Sequence, residues 1–133
     1  MKNARLLDSF ALIRFLRQER GYEQVKERLR EAGRTQEPLL MCEMNLGEVY
    51  YVIGREEGVP KAEEILTSVS TLPIRRIPAT WEIILQAARL KAQHPLSYAD
   101  CIAAASAISQ GAVLITGDKE FRTIQHLLPI EWV

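Results

Sequence analysis

Four acidic residues stand where carboxylate chemistry could be done. Asp8 directly follows the apolar pair Leu6-Leu7, and Asp118 follows the apolar run 112–116 in Thr116-Gly117-Asp118. Glu48 lies at the start of a helical pattern in Asn45-Leu46-Gly47-Glu48, and Asp100 opens another in Ser97-Tyr98-Ala99-Asp100. Carboxylates brought together raise one another's pKa values. A hard divalent cation relieves that repulsion by taking oxygen ligands, so Mg²⁺ or Mn²⁺ is the implied cofactor. Zinc fits poorly, because His94 and His126 are the only histidines and have no ligand spacing. Activation of a water and stabilisation of charge on a phosphate are what such an ion supplies, which points to phosphodiester hydrolysis.

Each acid also has a local structural reading. Asp8 or Ser9 can cap the helix that follows. The segments 45–48 and 97–100 resemble capping boxes, and Asp118 suits a turn in Gly-Asp-Lys. The two readings are compatible, since a capping carboxylate keeps lone pairs for another partner. Other schemes find little footing. The chain has no GxSxG, HExxH or GxxxxGK[ST] segment. Cys101 adjoins Asp100 without a histidine partner in sequence and reads as a small buried packing residue. A phosphoacceptor receiver needs an adjacent acidic pair after its first strand, and Asp8 stands between Leu7 and Ser9. An Asp-x-Asp phosphatase fails at Phe10.

The elements that must position these acids alternate along the chain. Strands are expected at Leu6-Leu7 and the residues before them, at Leu39–Met41, at Leu72–Ile77, at Ala112–Thr116 and at Ile130–Val133. Helices are expected over Phe10–Leu16, over 22–32 with a stop at Gly33, and over Asn45–Ile53 ending near Gly54. Further helices are expected over Lys61–Ser70 after Pro60, over Thr80–Ala92, over Ser97–Gln110 closed by Gly111, and over Phe121–Leu127. This order predicts an α/β fold, a parallel sheet with helices on both faces. In such folds the site lies beyond the carboxyl ends of the strands, where all four acids would meet.

Composition bounds the rest. The 133 residues carry 17 Lys+Arg and 17 Asp+Glu, with 47% hydrophobic residues, an ordinary globular balance for one domain, 1–133. No window approaches a membrane span, the N-terminus lacks a signal-peptide pattern, and two distant cysteines suit a reducing, cytoplasmic setting. Zero net charge hides a split: residues 1–34 hold nine basic and five acidic side chains, a balance of +4. That is compatible with polyanion binding, with Arg14 and Arg17 as candidate contacts to a phosphate backbone, and equally with a solvated helix of paired charges. The helices Phe10–Leu16 and Leu46–Ile53 are expected to form an apolar partner site, because adjacent Tyr50 and Tyr51 cannot both face one core.

The segments Leu6–Ile13, Asn45–Tyr51, Leu96–Asp100 and Leu114–Phe121, in that order and spacing, resemble PIN-domain ribonucleases of the VapC toxin type. The resemblance spans nearly the whole chain. It implies a Rossmann-like three-layer α/β/α sandwich with a mostly parallel sheet, Mg²⁺- or Mn²⁺-dependent cleavage of RNA, a homodimer, and inhibition by a cognate antitoxin. Asp8, Glu48, Asp100 and Asp118 match the family's acidic site, with Asp8, Asp100 and Asp118 as metal ligands. Thr116 matches the hydroxyl residue before the last acid, and Ser9 is a further supporting candidate. Glu120 stands where many members carry Asp and is read as an outer ligand. Two alternatives stay open: a PIN-type nuclease of RNA maturation or turnover without an antitoxin, and a non-catalytic module that binds RNA or protein.

Overall fold

The computed structural model describes residues 4–133; Lys2, one of the nine basic residues of the N-terminal segment, lies outside them. Five strands, β1 (Arg5–Leu7), β2 (Leu39–Cys42), β3 (Ile74–Ile77), β4 (Val113–Thr116) and β5 (Ile130–Trp132), form one sheet in the order β3-β2-β1-β4-β5. Every pairing is parallel, so the sheet is wholly rather than mostly parallel. The helices are α1 (Ser9–Arg17), α2 (Tyr22–Thr35), α3 (Glu43–Glu57), α4 (Val59–Val69), α5 (Trp81–Gln93) and α6 (Tyr98–Gln110), with a 3-10 helix at Lys119–Ile124.

Alternation along the strands builds three layers. Leu6, Leu40, Cys42 and Leu114 face the core under α5 and α6, together with Ile83, Ala87, Ala103 and Ala107. Leu7, Leu39 and Ile115 point the other way, onto Ala11, Val25 and Leu29 of α1 and α2. Met41 joins Leu12, Val49, Ile53 and Ile65 beneath α3 and α4. The inner strands β2 and β4, buried on both faces, read as continuous apolar runs, whereas edge strands β3 and β5 carry Arg75, Arg76 and Glu131. The small residues of α6 let it lie close over the sheet, where it buries Ala103, Ala104, Ala105 and Ala107 completely.

Several boundaries differ from the sequence expectation. Gly33 does not stop α2, which runs on to Thr35 and turns at Gln36 in the left-handed region (φ 60°); burial of Leu29 and Ala32 holds the helix through a residue of low propensity. Gly54 likewise lies inside α3, facing Ala62 of α4, and burial of Val49 and Ile53 carries the helix through it. The turn falls at Gly58 (φ 95°), and Pro60 sits in the first turn of α4 rather than before it. Leu72 and Pro73 precede β3, with the Pro73 carbonyl accepting a hydrogen bond from the Leu39 amide at 2.9 Å. The expected helix over Phe121–Leu127 is the 3-10 helix beginning at Lys119, initiated by the Asp118 carboxylate. No helix among the described residues is long and apolar enough to cross a membrane.

Candidate active site

The strand order reverses direction between β1 and β4, the switch point at which parallel α/β sheets open a crevice. Asp8 ends β1 and Asp118 follows β4, so the crevice has an acid on each lip. The Asp8 amide donates to the Ile115 carbonyl at 3.3 Å, which extends the β1–β4 ladder to the site itself. Asp8 is buried, and both of its carboxylate oxygens accept hydrogen bonds. Oδ1 takes the Ala11 amide at 2.8 Å, capping α1, and Oδ2 takes the Thr116 hydroxyl. Thr116 Oγ1 in turn accepts the Asp118 amide at 3.0 Å. One buried hydroxyl therefore fixes two acids from neighbouring strands.

Asp118 Oδ1 accepts the Glu120 amide at 3.0 Å, so the turn reading of this residue holds as well. Gly117 makes the turn possible. A Cβ there would meet the Phe10 ring at 2.5 Å and the Val133 carbonyl at 2.8 Å. Asp100 enters from the first turn of α6, where Ser97 Oγ accepts its amide at 3.1 Å. This is half of the expected capping box. Segment 45–48 forms no box at all, because α3 starts at Glu43 with Cys42 as its cap, placing Asn45 and Glu48 inside the helix. Glu48 is held instead by Ser9, whose hydroxyl donates to it at 2.6 Å.

One carboxylate oxygen of each of Asp100, Asp118 and Glu120 lies within 4.8 Å of the other two. The three grade from buried Asp100 through half-buried Asp118 to exposed Glu120. Glu120 is the exposed, outermost member of the group, with an oxygen in reach of both aspartates. Asp8 and Glu48 are not in this group of three, yet both add to the negative potential at Asp100. Burial pushes the Asp8 carboxyl up to about 7, against the pull of its two hydrogen bonds, and Asp118 and Glu48 raise it further. Burial, a hydrogen bond with Asp118 and that acid's charge push Asp100 up to about 8. Acids that hold protons near neutrality, in a set of oxygen donors without histidine or cysteine, fit a hard divalent cation. Asp100, Asp118 and Glu120 would hold it, with the Asp8 carboxyl near enough to interact electrostatically with Asp100 and Asp118.

Sequence reasoning set Glu120 apart from the other acids, although its amide contact with Asp118 follows from the turn. It also missed the role of Asn45 as a link between helices, which no local pattern announces. A cavity of about 790 Å³ lies elsewhere, lined by residues such as Arg5, Arg28, Leu39, Arg75 and Gln110, and none of the four expected acids borders it. Its mouth is at the amino ends of β1 and β2, the wrong end for a crevice of this kind.

The sequence profile of the PIN domain family matches residues 5–127. The chain belongs to the PIN-domain family. Solved structures share its fold. The DNA-bound VapBC of Salmonella typhimurium is 15% identical with a TM-score of 0.76, and the match covers 98% of each chain. VapBC2 of Rickettsia felis, bound to a DNA fragment from its promoter, is 17% identical with a TM-score of 0.74 over 98% of each chain. VapC20 of Mycobacterium tuberculosis, described as a sarcin-ricin loop cleaving toxin, is 16% identical with a TM-score of 0.71, covering 91% of this chain and 95% of that one. The sequence has no significant match among curated proteins. This PIN domain carries an acid at each of the four positions that the resemblance assigns to the site, two of them buried.

Proposed function

We propose that this PIN domain is an Mg²⁺- or Mn²⁺-dependent endoribonuclease and the toxin of a toxin–antitoxin pair, acting as a homodimer in the cytoplasm. The observation that carries the reading is the convergence of Asp100, Asp118 and Glu120 oxygens within 4.8 Å beside buried Asp8. A bound cation supplies Lewis-acid stabilisation of phosphate charge and lowers the pKa of water. The chain's own groups do the rest. Thr116 and the Ala11 amide fix the Asp8 carboxylate, while Ser9 aims Glu48. Glu48 is the group proposed to accept a proton from the water that attacks the phosphate. Mapping cleavage sites on total RNA with the wild type and an Asp8→Asn control tests the proposal: discrete new ends with the wild type alone support it, and identical RNA in both lanes overturns it.

Arg14 and Arg17 fall into different roles. Arg17 reaches across to α3 and pairs with Glu56 at 3.0 Å and Glu57 at 3.1 Å, which makes it a strut between helices. Arg14 stands 4.5 Å over the Phe10 ring, the ring that abuts Gly117, and donates to the Arg20 carbonyl at 2.6 Å. Among the described residues no carboxylate pairs with it. Arg14→Glu is expected to weaken RNA binding and to lower the slope of log K against log salt by about 1. Arg17→Glu is expected to leave that slope unchanged and to lower the melting temperature, as melting curves and salt titrations will show.

The fold divides Tyr50 from Tyr51. Tyr50 packs with the α1, α3 and α4 cluster and its hydroxyl donates to Glu63. Tyr51 is 49% exposed, with Arg55 over its ring at 5.4 Å. The apolar partner site of α1 and α3 is proposed to take an amphipathic antitoxin segment, which would bring a basic side chain to Asp8 and Asp118. In support, a structure of this fold is described as a toxin–antitoxin complex. Tyr51→Ala is expected to weaken antitoxin affinity by roughly tenfold or more with no loss of stability, as a hot-spot aromatic does. Tyr50→Ala is expected to lower the melting temperature instead; calorimetric titration and thermal melts on both variants separate the two.

A further inference from the structure

Asn45 is 1% exposed and sits three residues before Glu48 in α3, so the two share a face of the helix. Its Nδ2 donates to the Ala99 carbonyl at 3.0 Å. Ala99 adjoins Asp100 in the first turn of α6. The other end of the same amide, Oδ1, is buried with no hydrogen-bond partner among the described residues. Leucine has nearly the same shape and would fill the position without an orphaned acceptor, which is a cost to stability. The residue thus retains a destabilising half, and its other half makes one contact. That contact joins the helix carrying Glu48 to the turn carrying Asp100.

Resting on the nuclease reading above, we propose that Asn45 is a positioning residue that sets the spacing of Glu48 and Asp100. The amide ties the start of α6 to α3, and the Ser97 cap fixes the same turn from the other side. Without the tether, the first turn of α6 is held to α3 only by packing. Asp100 then wanders relative to Asp118 and Glu120, and the acids no longer meet in one place. The fold itself does not need the amide, because Leu46, Val49 and Ile53 bury the core side of α3 independently.

Asn45→Leu and Asn45→Ala test this by three readings on the full chain: melting temperature, Mn²⁺ affinity by calorimetry, and kcat with KM for RNA. Asn45→Leu is expected to melt at or above the wild-type temperature in metal-free buffer. It should nonetheless bind Mn²⁺ about tenfold or more weakly and lose roughly 10–100-fold in kcat, with KM unchanged, the size expected when support of a metal site is removed. Asn45→Ala should show the same functional loss with a lower melting temperature. If Asn45→Leu binds Mn²⁺ and turns over like the wild type, the positioning role is wrong. If the wild type binds Mn²⁺ but cuts no RNA, the nuclease reading fails, and the Mn²⁺ affinities alone decide for or against the tether. Wild-type protein that binds no Mn²⁺ overturns both.

Discussion

Asp118→Asn and Asp100→Asn should each lower RNA cleavage by about 10³-fold or more, while circular dichroism and chromatographic behaviour stay those of the wild type. The exchange keeps shape and removes one negative charge from a group whose oxygens meet within 4.8 Å. In Asp118→Asn the new amide oxygen can still accept the Glu120 N–H that initiates the 3-10 helix, so the turn survives. In Asp100→Asn the new amide can donate an N–H to Asp118 where the acid shares a proton with it. Asp8→Asn should be equally inactive. Its amide nitrogen would face the Thr116 hydroxyl that now donates to Asp8, which lowers stability at pH 5, while at pH 9 in chelator removal of the buried charge offsets that loss. Single-turnover cleavage assays check all three, and a variant with wild-type rates would remove its residue from the site.

The metal-free protein should lose stability as pH rises from 5 to 9 and recover it when Mn²⁺ is added. Asp8 and Asp100 hold their protons up to about 7 and about 8 in the folded protein, against 3.8 for an ordinary aspartate. Folding therefore takes up protons between these values. The stabilising contribution is complete below the unfolded pKa and disappears as pH climbs through the folded ones. From Asp8 alone the loss between pH 5 and 9 is on the order of 3 kcal/mol, roughly 10 °C in melting temperature for a domain of this size. Mn²⁺ at 100 times its dissociation constant should return about 2.7 kcal/mol, and more effectively at pH 8 than at pH 5, where protons compete for the same oxygens. Asp100→Asn should flatten the pH dependence, melt higher than the wild type at pH 8 in chelator, and show little response to Mn²⁺. A melting temperature that stays level or rises from pH 6 to 9 in chelator would contradict this electrostatic account.

Much of this arrangement was legible in the residues because parallel α/β sheets have few solutions. Once Leu6-Leu7 and 112–116 read as buried strands, Asp8 and Asp118 had to emerge at the same end, and the switch point between β1 and β4 set them side by side. The Ser97 cap was readable for the same reason, since it is a contact between residues three apart. Elements escaped where tertiary packing overrides local signals. Gly33 and Gly54 look like helix stops, yet buried neighbours carry α2 and α3 through them. Asn45 looks like a helix cap because Glu follows it at the right spacing, but the helix begins two residues earlier and turns the amide toward Ala99, 54 positions away. That an oxygen of Glu120 comes within 4.8 Å of Asp100 and Asp118 was not legible in sequence, because its neighbours in space depend on the 3-10 geometry of 119–124. The two arginines of α1 could not be told apart in sequence, since Glu56 and Glu57 are 39 and 40 positions from Arg17.

The most direct measurement of the central claim is cleavage of a defined single-stranded RNA by the purified protein at increasing Mn²⁺, with excess EDTA as the comparison and Asp118→Asn in parallel. The acids that converge at the β1–β4 crevice predict products that rise with Mn²⁺, vanish in EDTA and never appear with the variant. Undiminished cleavage in EDTA, or equal cleavage by Asp118→Asn, would contradict a cation held by these carboxylates as the basis of activity.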